Sequence, residues 1–239
     1  MIGLGTIINA GAIVVGGLLG LLLKNALPQR ISDTLTKAIG ICVLFIGLSG
    51  ALQNMFTIED GALSVGGTMM TIFSFIGGSI LGGALDLEGR LERFGVWLRK
   101  RAGADGDSGF LNGFLTASLT VCIGAMAVVG AINDGLFGDI SLLVTKSILD
   151  AIIIMVMAAT MGKGCIFSAI PVAIFQGLVT LFARFLQPIM TAQATSNLAL
   201  TGSILVFCVG VNLIWDQQRL KVANMLPTLI FAVALAFVL

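Results

Sequence analysis

The chain is a series of apolar runs of membrane-spanning length, separated by short polar stretches. The runs lie near 3–23, 37–54, 66–85, 110–132, 142–161, 165–183, 198–214 and 225–239. At 1.5 Å per residue, a helix of about 21 residues covers ~31 Å, close to the hydrocarbon thickness of a bilayer. The first, third, fourth, fifth and sixth runs reach that length comfortably, and the second and seventh are shorter but clean. The eighth starts just before Pro227, a residue tolerated in a first helical turn. It has room for only about 15 residues, so it spans a locally thinned bilayer or stops short. The expected fold class is all-α, a polytopic membrane protein of about eight transmembrane helices. Met-Ile-Gly-Leu at the start carries no basic n-region, so the first run is expected to be a span and not a cleaved leader.

Basic residues test the segment count independently. With eight spans, the loops after odd-numbered runs share one side. They hold Lys24, Arg30, Lys37, Arg90, Arg93, Arg99, Lys100, Arg101, Lys163, Arg219 and Lys221, which is 11 of the 13 Lys and Arg residues. Of the remainder, Lys146 lies within the fifth run and Arg184 on the opposite side. The positive-inside rule makes the basic side cytoplasmic and leaves both termini outside. The longest polar stretch, 86–109, has Leu87, Leu91, Phe94, Val96, Trp97 and Leu98 among its charges at roughly helical spacing. It reads as a cytoplasmic amphipathic linker lying in the interface, with Trp97 at headgroup depth and a flexible turn over Asp105–Gly109; a plain solvated linker is the alternative.

Composition agrees. Charged residues are 10% of the chain against ~25% in a soluble domain, and the mean hydropathy is +1.08. A net charge of +1 argues against a nucleic-acid partner, which needs a basic patch. Cys42, Cys122, Cys165 and Cys208 are far apart and the chain has no histidine, so no metal or cofactor site is legible. The cysteines read as small packing residues.

Two stretches resemble each other. Aligning Gly5 with Gly164 superposes Gly5, Ile7, Ala10, Leu19, Leu22 and Leu27 on identical residues and sets Asn9 on Ser168. A one-residue gap brings Pro28 onto Pro188, and Gly40 and Phe45 meet Gly202 and Phe207. Five helices separate the copies, so the two run in opposite senses. The expected organisation is one transmembrane domain over 1–239: a first repeat over 1–85 (helices 1–3), the linker 86–109, an intervening helix pair 110–161, and a second repeat 162–239 (helices 6–8). Inverted three-helix repeats are a secondary-transporter arrangement, with sites near the midplane at the repeat interface.

Ionisable groups inside a membrane are costly and each needs a reason. Asp150 lies 12 residues before Gly162, ~18 Å from that helix end, and Lys146 sits at the i,i+4 spacing that lets the two meet. The pair is either a neutralising structural clasp or a proton or cation carboxylate tuned by Lys146. Ser118 and Thr120 add small polar groups in the fourth run. Asn133-Asp134-Gly135 reads as a turn closing that run, with Asp134 and Asp139 on an outer loop. Pro171 inside the sixth run frees backbone carbonyls, with Ser168 before it and Gln176 beyond; Asn9 matches Ser168 in a glycine-weakened first run. The candidate ion or solute pathway is therefore Asp150, Lys146, Asn9, Ser118, Thr120, Ser168, Pro171 and Asp134. Gly16-x-x-x-Gly20 and Gly78-x-x-x-Gly82 permit close helix crossing within a subunit or in a homodimer.

The run T-A-S-L-T-V-C-I-G-A-M-A-V-V-G-A-I-N-D-G-L-F-G-D, then K-S-I-L-D and F-S-A-I-P-V, resembles a family of bacterial inner-membrane proteins catalogued as a domain of unknown function, of the YdfK/YqgA type. G-T-I-I-N-A and G-G-L-L-G-L-L-L-K resemble it too, and the likeness covers essentially the whole chain. It implies a multi-pass bacterial plasma-membrane protein and supplies no substrate or catalytic residue. The functional expectation is a transporter or channel-like protein for an ion or small polar solute, proton- or sodium-coupled, with the bilayer and that solute as partners. A non-transporting scaffold or assembly protein is the alternative. Enzyme chemistry is not expected: without histidine there is no Ser–His dyad, no G-x-S-x-G is present, and Asp139 and Asp150 are expected at different depths.

Overall fold

The computed structural model describes residues 1–24, 28–59, 62–104, 106–107, 109–215 and 220–238. Asp105 and Ser108, within the expected flexible turn, and Arg219, one of the basic loop residues, lie outside the described residues. The apolar runs fold as helices α1 (Leu4–Lys24), α2 (Gln29–Met55), α3 (Thr68–Leu85), α4 (Leu87–Arg101), α5 (Phe110–Cys122), α6 (Ala125–Phe137) and α7 (Ser141–Met161). A 3₁₀ segment, Lys163–Ser168, then leads into α8 (Ala169–Leu181), followed by α9 (Ala183–Leu186), α10 (Ala192–Ile214), α11 (Val222–Met225) and α12 (Thr228–Leu235). Among the described residues six helices are long and apolar enough to cross a membrane, or up to seven if the bent α5–α6 pair is one span. Residues 222–235 form a shorter apolar helical stretch where the eighth run was expected.

Backbone needs explain the architecture. In hydrocarbon every N–H and C=O must be satisfied within the protein, which favours helices. Outward faces are apolar, with Ile7, Leu22, Phe45, Ile46, Ile80 and Ile148 exposed, whereas Asn9, Asp134, Asp150 and Gln176 are buried. Large apolar surface outside and polar groups inside suit lipid as the surrounding medium. The protein is a multi-pass membrane protein.

Glycines set how the helices meet. Gly5 lies against Leu143, Gly16 against Ala151 and Gly20 against Met155, so α1 and α7 run side by side in the same direction. Gly40 faces Leu213 and Ile214 while Gly47 faces Ser203 and Phe207, so α2 and α10 are antiparallel. Gly77 faces Phe231 and Gly82 faces Asn224, which makes α3 antiparallel to the α11–α12 stretch. Both small-residue motifs of the sequence are thus used inside the subunit.

Several expectations change. Helix α2 starts at Gln29, a turn and more before residue 37, because Pro28 opens it and Thr34 and Thr36 bond back to the carbonyls of Arg30 and Ser32. The fourth run is two half-helices bent by 62°. Two short strands pair antiparallel, β1 (Phe56–Glu59) with β2 (Ala62–Val65), setting Phe56 opposite Val65. Pro171 is no mid-helix kink. It falls in the first turn of α8, where its missing N–H costs nothing. The linker helix α4 forms as expected: Asp86 caps it by accepting from the Gly89 N–H at 3.3 Å, and Arg99, Lys100 and Arg101 occupy its last turn, where positive charge suits the helix dipole. Its Trp97 is exposed, stacked on Phe94, with the Arg101 guanidinium 5.7 Å above the ring.

Candidate functional site

The break in the fourth run begins with its backbone. Helix α5 ends at Cys122, Ile123 is extended, and Gly124 adopts φ 144, ψ 151, a conformation essentially reserved for glycine. Gly164 abuts Phe110 at the start of α5, and Gly162 lies by the Lys24 end of α1. At the far end, Asp134 of α6 meets the first residues of α1. The two half-helices therefore traverse the bundle from one end to the other and do not fold back. A Cβ on Gly124 would meet nothing within 4 Å, so a substitution there tests backbone alone. Gly124→Ala is expected to cost ~1–3 kcal/mol and lower the melting temperature in detergent, with no packing defect to account for it.

A broken helix leaves carbonyls open at its end. Lys146 of α7 takes one: its Nζ donates to the Val121 carbonyl at 2.8 Å and to both carboxylate oxygens of Asp150 at 2.7 and 2.6 Å. An ammonium has three protons, and here three acceptors receive them. Its positive charge also sits at the negative dipole end of α5. Both side chains are nearly sealed, Lys146 at 7% and Asp150 at 3% exposure. Asn9 of α1 also faces Asp150, yet neither its Oδ1 nor its Nδ2 makes a hydrogen bond of good geometry among the described residues. Gln176 of α8 is likewise fully buried with both amide atoms unpaired.

The other candidates separate. Asp134 is not on an exposed turn. It is helical, 0% exposed, and its two oxygens accept from the Gly3 and Gly5 N–H groups, each at 3.0 Å. A buried carboxylate thus anchors the amino end of α1, where the dipole favours negative charge. Asp134→Asn removes the charge and one acceptor; protection of the amides of 3–7 against hydrogen exchange is expected to fall while that of α10 holds. Asp139 is exposed, its pKa lowered by the backbone N–H and then the hydroxyl of Ser141. Ser168 is buried, and its hydroxyl donates to the Cys165 carbonyl at 2.7 Å, within its own turn. Thr120 donates back to the Thr116 carbonyl at 2.7 Å. Ser118 and Pro171 line an apolar crevice on another side of α5. Only Asp150, Lys146 and Asn9 of the expected set come together.

A polar vestibule of about 670 Å³ opens near the Lys24 end of the bundle. Lys24, Lys37, Asp33, Glu88 and Asp107 line it, and Asn112, Thr116 and Leu119 carry it along α5. Leu119, the last α5 residue along it, packs with Ile123, Leu205 and Val209. Val121 is two residues further on, ~3 Å along the helix and ~200° around it, so its side chain lies on the opposite face of α5. Glu88 also joins α4 to α11: the Ala223 N–H donates to its carboxylate at 2.9 Å, and its own N–H donates to Asn224 Oδ1 at 2.8 Å. Burial raises its pKa, outweighing the bond from Ala223.

Sequence reasoning found the Lys146–Asp150 pair by spacing but missed the Val121 carbonyl, Gly124 and the vestibule. A lone glycine between two apolar stretches in C-I-G-A was the available signal for the break.

The family model described as "Protein of unknown function (DUF554)" matches residues 4–237. The chain is 27% identical over 235 residues to the Bacillus subtilis "Uncharacterized membrane protein YdfK", covering 98% of this chain and 96% of the relative. It is 26% identical over 240 aligned residues to the Escherichia coli "Uncharacterized protein YqgA", again covering 98% and 96%. No solved structure matches it. A match over nearly the full length, on a chain with several apolar membrane-length helices, places this protein in the DUF554 family.

Proposed function

We propose that this protein is a small transporter or channel-like protein for an ion or small polar solute, with Asp150 and Lys146 as its gate. One observation carries the reading: a buried ammonium joins the Asp150 carboxylate to the open carbonyl of a broken helix that also lines a polar vestibule. Protonating Asp150, or giving it a cation, weakens its hold on Lys146. Lys146 in turn sets the Val121 end of α5, so charge at Asp150 and the bend at Gly124 are mechanically joined.

Helix packing supports the rest of this reading. The matching helices of the two expected repeats pack antiparallel, α1 with the 3₁₀–α8 stretch (Gly17 by Ile166, Lys24 by Gly162), α2 with α10 and α3 with α11–α12, as a two-fold axis in the membrane plane requires. Counting α5–α6 as one crossing and 222–235 as another gives eight, with the basic Lys24 end cytoplasmic in a bacterial inner membrane.

The test uses protein reconstituted in vesicles, with proton and sodium flux read by entrapped indicators. Asp150→Asn keeps the shape and one acceptor for Lys146, and is expected to cut the flux at least tenfold and flatten its pH dependence. Unchanged flux and pH profile remove Asp150 from the mechanism. A wild-type protein that moves neither ion nor any of a panel of small polar solutes favours the scaffold reading, in which the saturated Lys146 is a structural clasp.

A further inference from the structure

A second cavity, of about 890 Å³, has no place in that scheme. It lies between α5–α6, α8 and α12, and of its lining side chains only Ser118 carries a hydroxyl, amide or charge. Its walls are two helical stripes: Pro171, Phe175 and Val179 at i, i+4 and i+8 on α8, and Leu229, Val233 and Phe237 at the same spacing on and just past α12. Each stripe is ~12 Å long, of the order of half a ~30 Å hydrocarbon core. Leu87 and Leu91 of the amphipathic helix α4 close one end. That end also holds the start of α12, since α11 is tied to Glu88.

We infer that this crevice is a binding site for one acyl chain of an anionic phospholipid, whose headgroup lies at α4. Two facing apolar stripes make a slot, and apart from the Ser118 hydroxyl the lining has nothing for a polar ligand to bond. Charge complementarity supplies the headgroup: Arg90 is exposed on the helix that contributes Leu87 and Leu91, and Arg93, Lys100 and Arg101 are exposed on the same helix. Trp97 is exposed there too, an aromatic suited to headgroup depth. The chain would pack on Cys122 and Ile123, at the break itself, so its presence supports the bent form of the helix.

The experiment reconstitutes the full chain in phosphatidylcholine vesicles containing phosphatidylglycerol with a photoreactive diazirine in its acyl chain, then maps the adducts after irradiation. Labelling is expected to concentrate on peptides holding Phe175, Val179, Ile230 and Val233, above the level at Phe45 and Ile46 on the outer face of α2. Ala234→Trp fills the crevice from an exposed wall position and is expected to lower crevice labelling several-fold while the α2 level holds. Arg90→Gln is expected to reduce the preference for phosphatidylglycerol over a photoreactive phosphatidylcholine about fivefold, the effect of one interfacial cation. Both variants are checked for wild-type helicity and elution. Labelling no higher at the crevice than on α2, or unmoved by Ala234→Trp, overturns the inference. So does efficient disulfide formation between two copies of Ala234→Cys in native membranes, which would make a second copy the occupant. These outcomes are independent of ion flux, so this site and the gate stand or fall separately.

Discussion

Lys146→Met is expected to be among the most destabilising single changes in the molecule. Methionine has the length of the lysine stem but none of its three protons, so it strands the Asp150 carboxylate and the Val121 carbonyl together in a sealed site. Breaking one side of a buried ion pair typically costs ~3–5 kcal/mol, because the remaining charge has lost its compensation. Removing both partners is expected to cost less than removing one. Lys146→Met with Asp150→Leu leaves only the Val121 carbonyl unsatisfied and is expected to recover most of the loss. Melting of the two single variants and the double variant in mild detergent measures the coupling. A double variant as unstable as Lys146→Met alone would mean that the shape of the site, not the charge pair, holds α7 to α5. A Lys146→Met protein that melts like wild type would mean that the ion pair does not hold α7 to α5.

Gly20→Leu should rival it by a different mechanism. A Cβ on Gly20 would collide with the Met155 carbonyl, and one on Gly16 with the Ala151 carbonyl, both of them backbone that cannot rotate away. The helices must separate along the α1–α7 seam, losing the packing that is the main cohesion between helices in lipid. Overpacking commonly costs ~1–3 kcal/mol where side chains can shift, and rigid backbone puts this site at or above that range. Gly11→Leu is the control: it lies on the same helix, is exposed, and would meet nothing within 4 Å. Leucine there is expected to be tolerated, and slightly stabilising through higher helix propensity. Equal melting of the two variants would show that the seam is not where the glycine contacts place it.

These two predictions fall on features of different legibility. Gly16 and Gly20 announce a close crossing by spacing alone, but spacing cannot name the partner. It is α7, some 130 residues away, and not a second copy. Lys146 and Asp150 are similar: i,i+4 spacing on a helix dictates that the side chains can meet. The third acceptor, Val121, is set by how α5 and α7 pack.

Asp134 shows where local rules mislead. Asn-Asp-Gly is a turn signal because those side chains compete with backbone hydrogen bonds. Here Asp134 stays helical and buried, because the amino end of α1 offers it two N–H donors. That partner lies 131 residues away in sequence, so no window around residue 134 contains it. Gly124 is the converse: the residue is visible, but a glycine in an apolar run is more often packing than break, and only its φ of 144° distinguishes them. The paired strands β1 and β2 carried their own sequence mark, Asp60-Gly61 between alternating residues, which the apolar runs on either side overshadowed.

By itself, the sequence determined the solvent, the helical class, the amphipathic linker and the pairing of Lys146 with Asp150. Each follows from composition or from contacts within one or two helical turns, and such contacts are set by helix geometry wherever the helix ends up. Tertiary structure alone decided that the fourth run breaks, that Asp134 is a buried cap, that the vestibule reaches Leu119 and that Ser118 faces an apolar crevice. Each of those depends on which surface of a distant helix arrives alongside, and apolar helices of similar composition offer many nearly equivalent surfaces until close packing at a few glycines selects one.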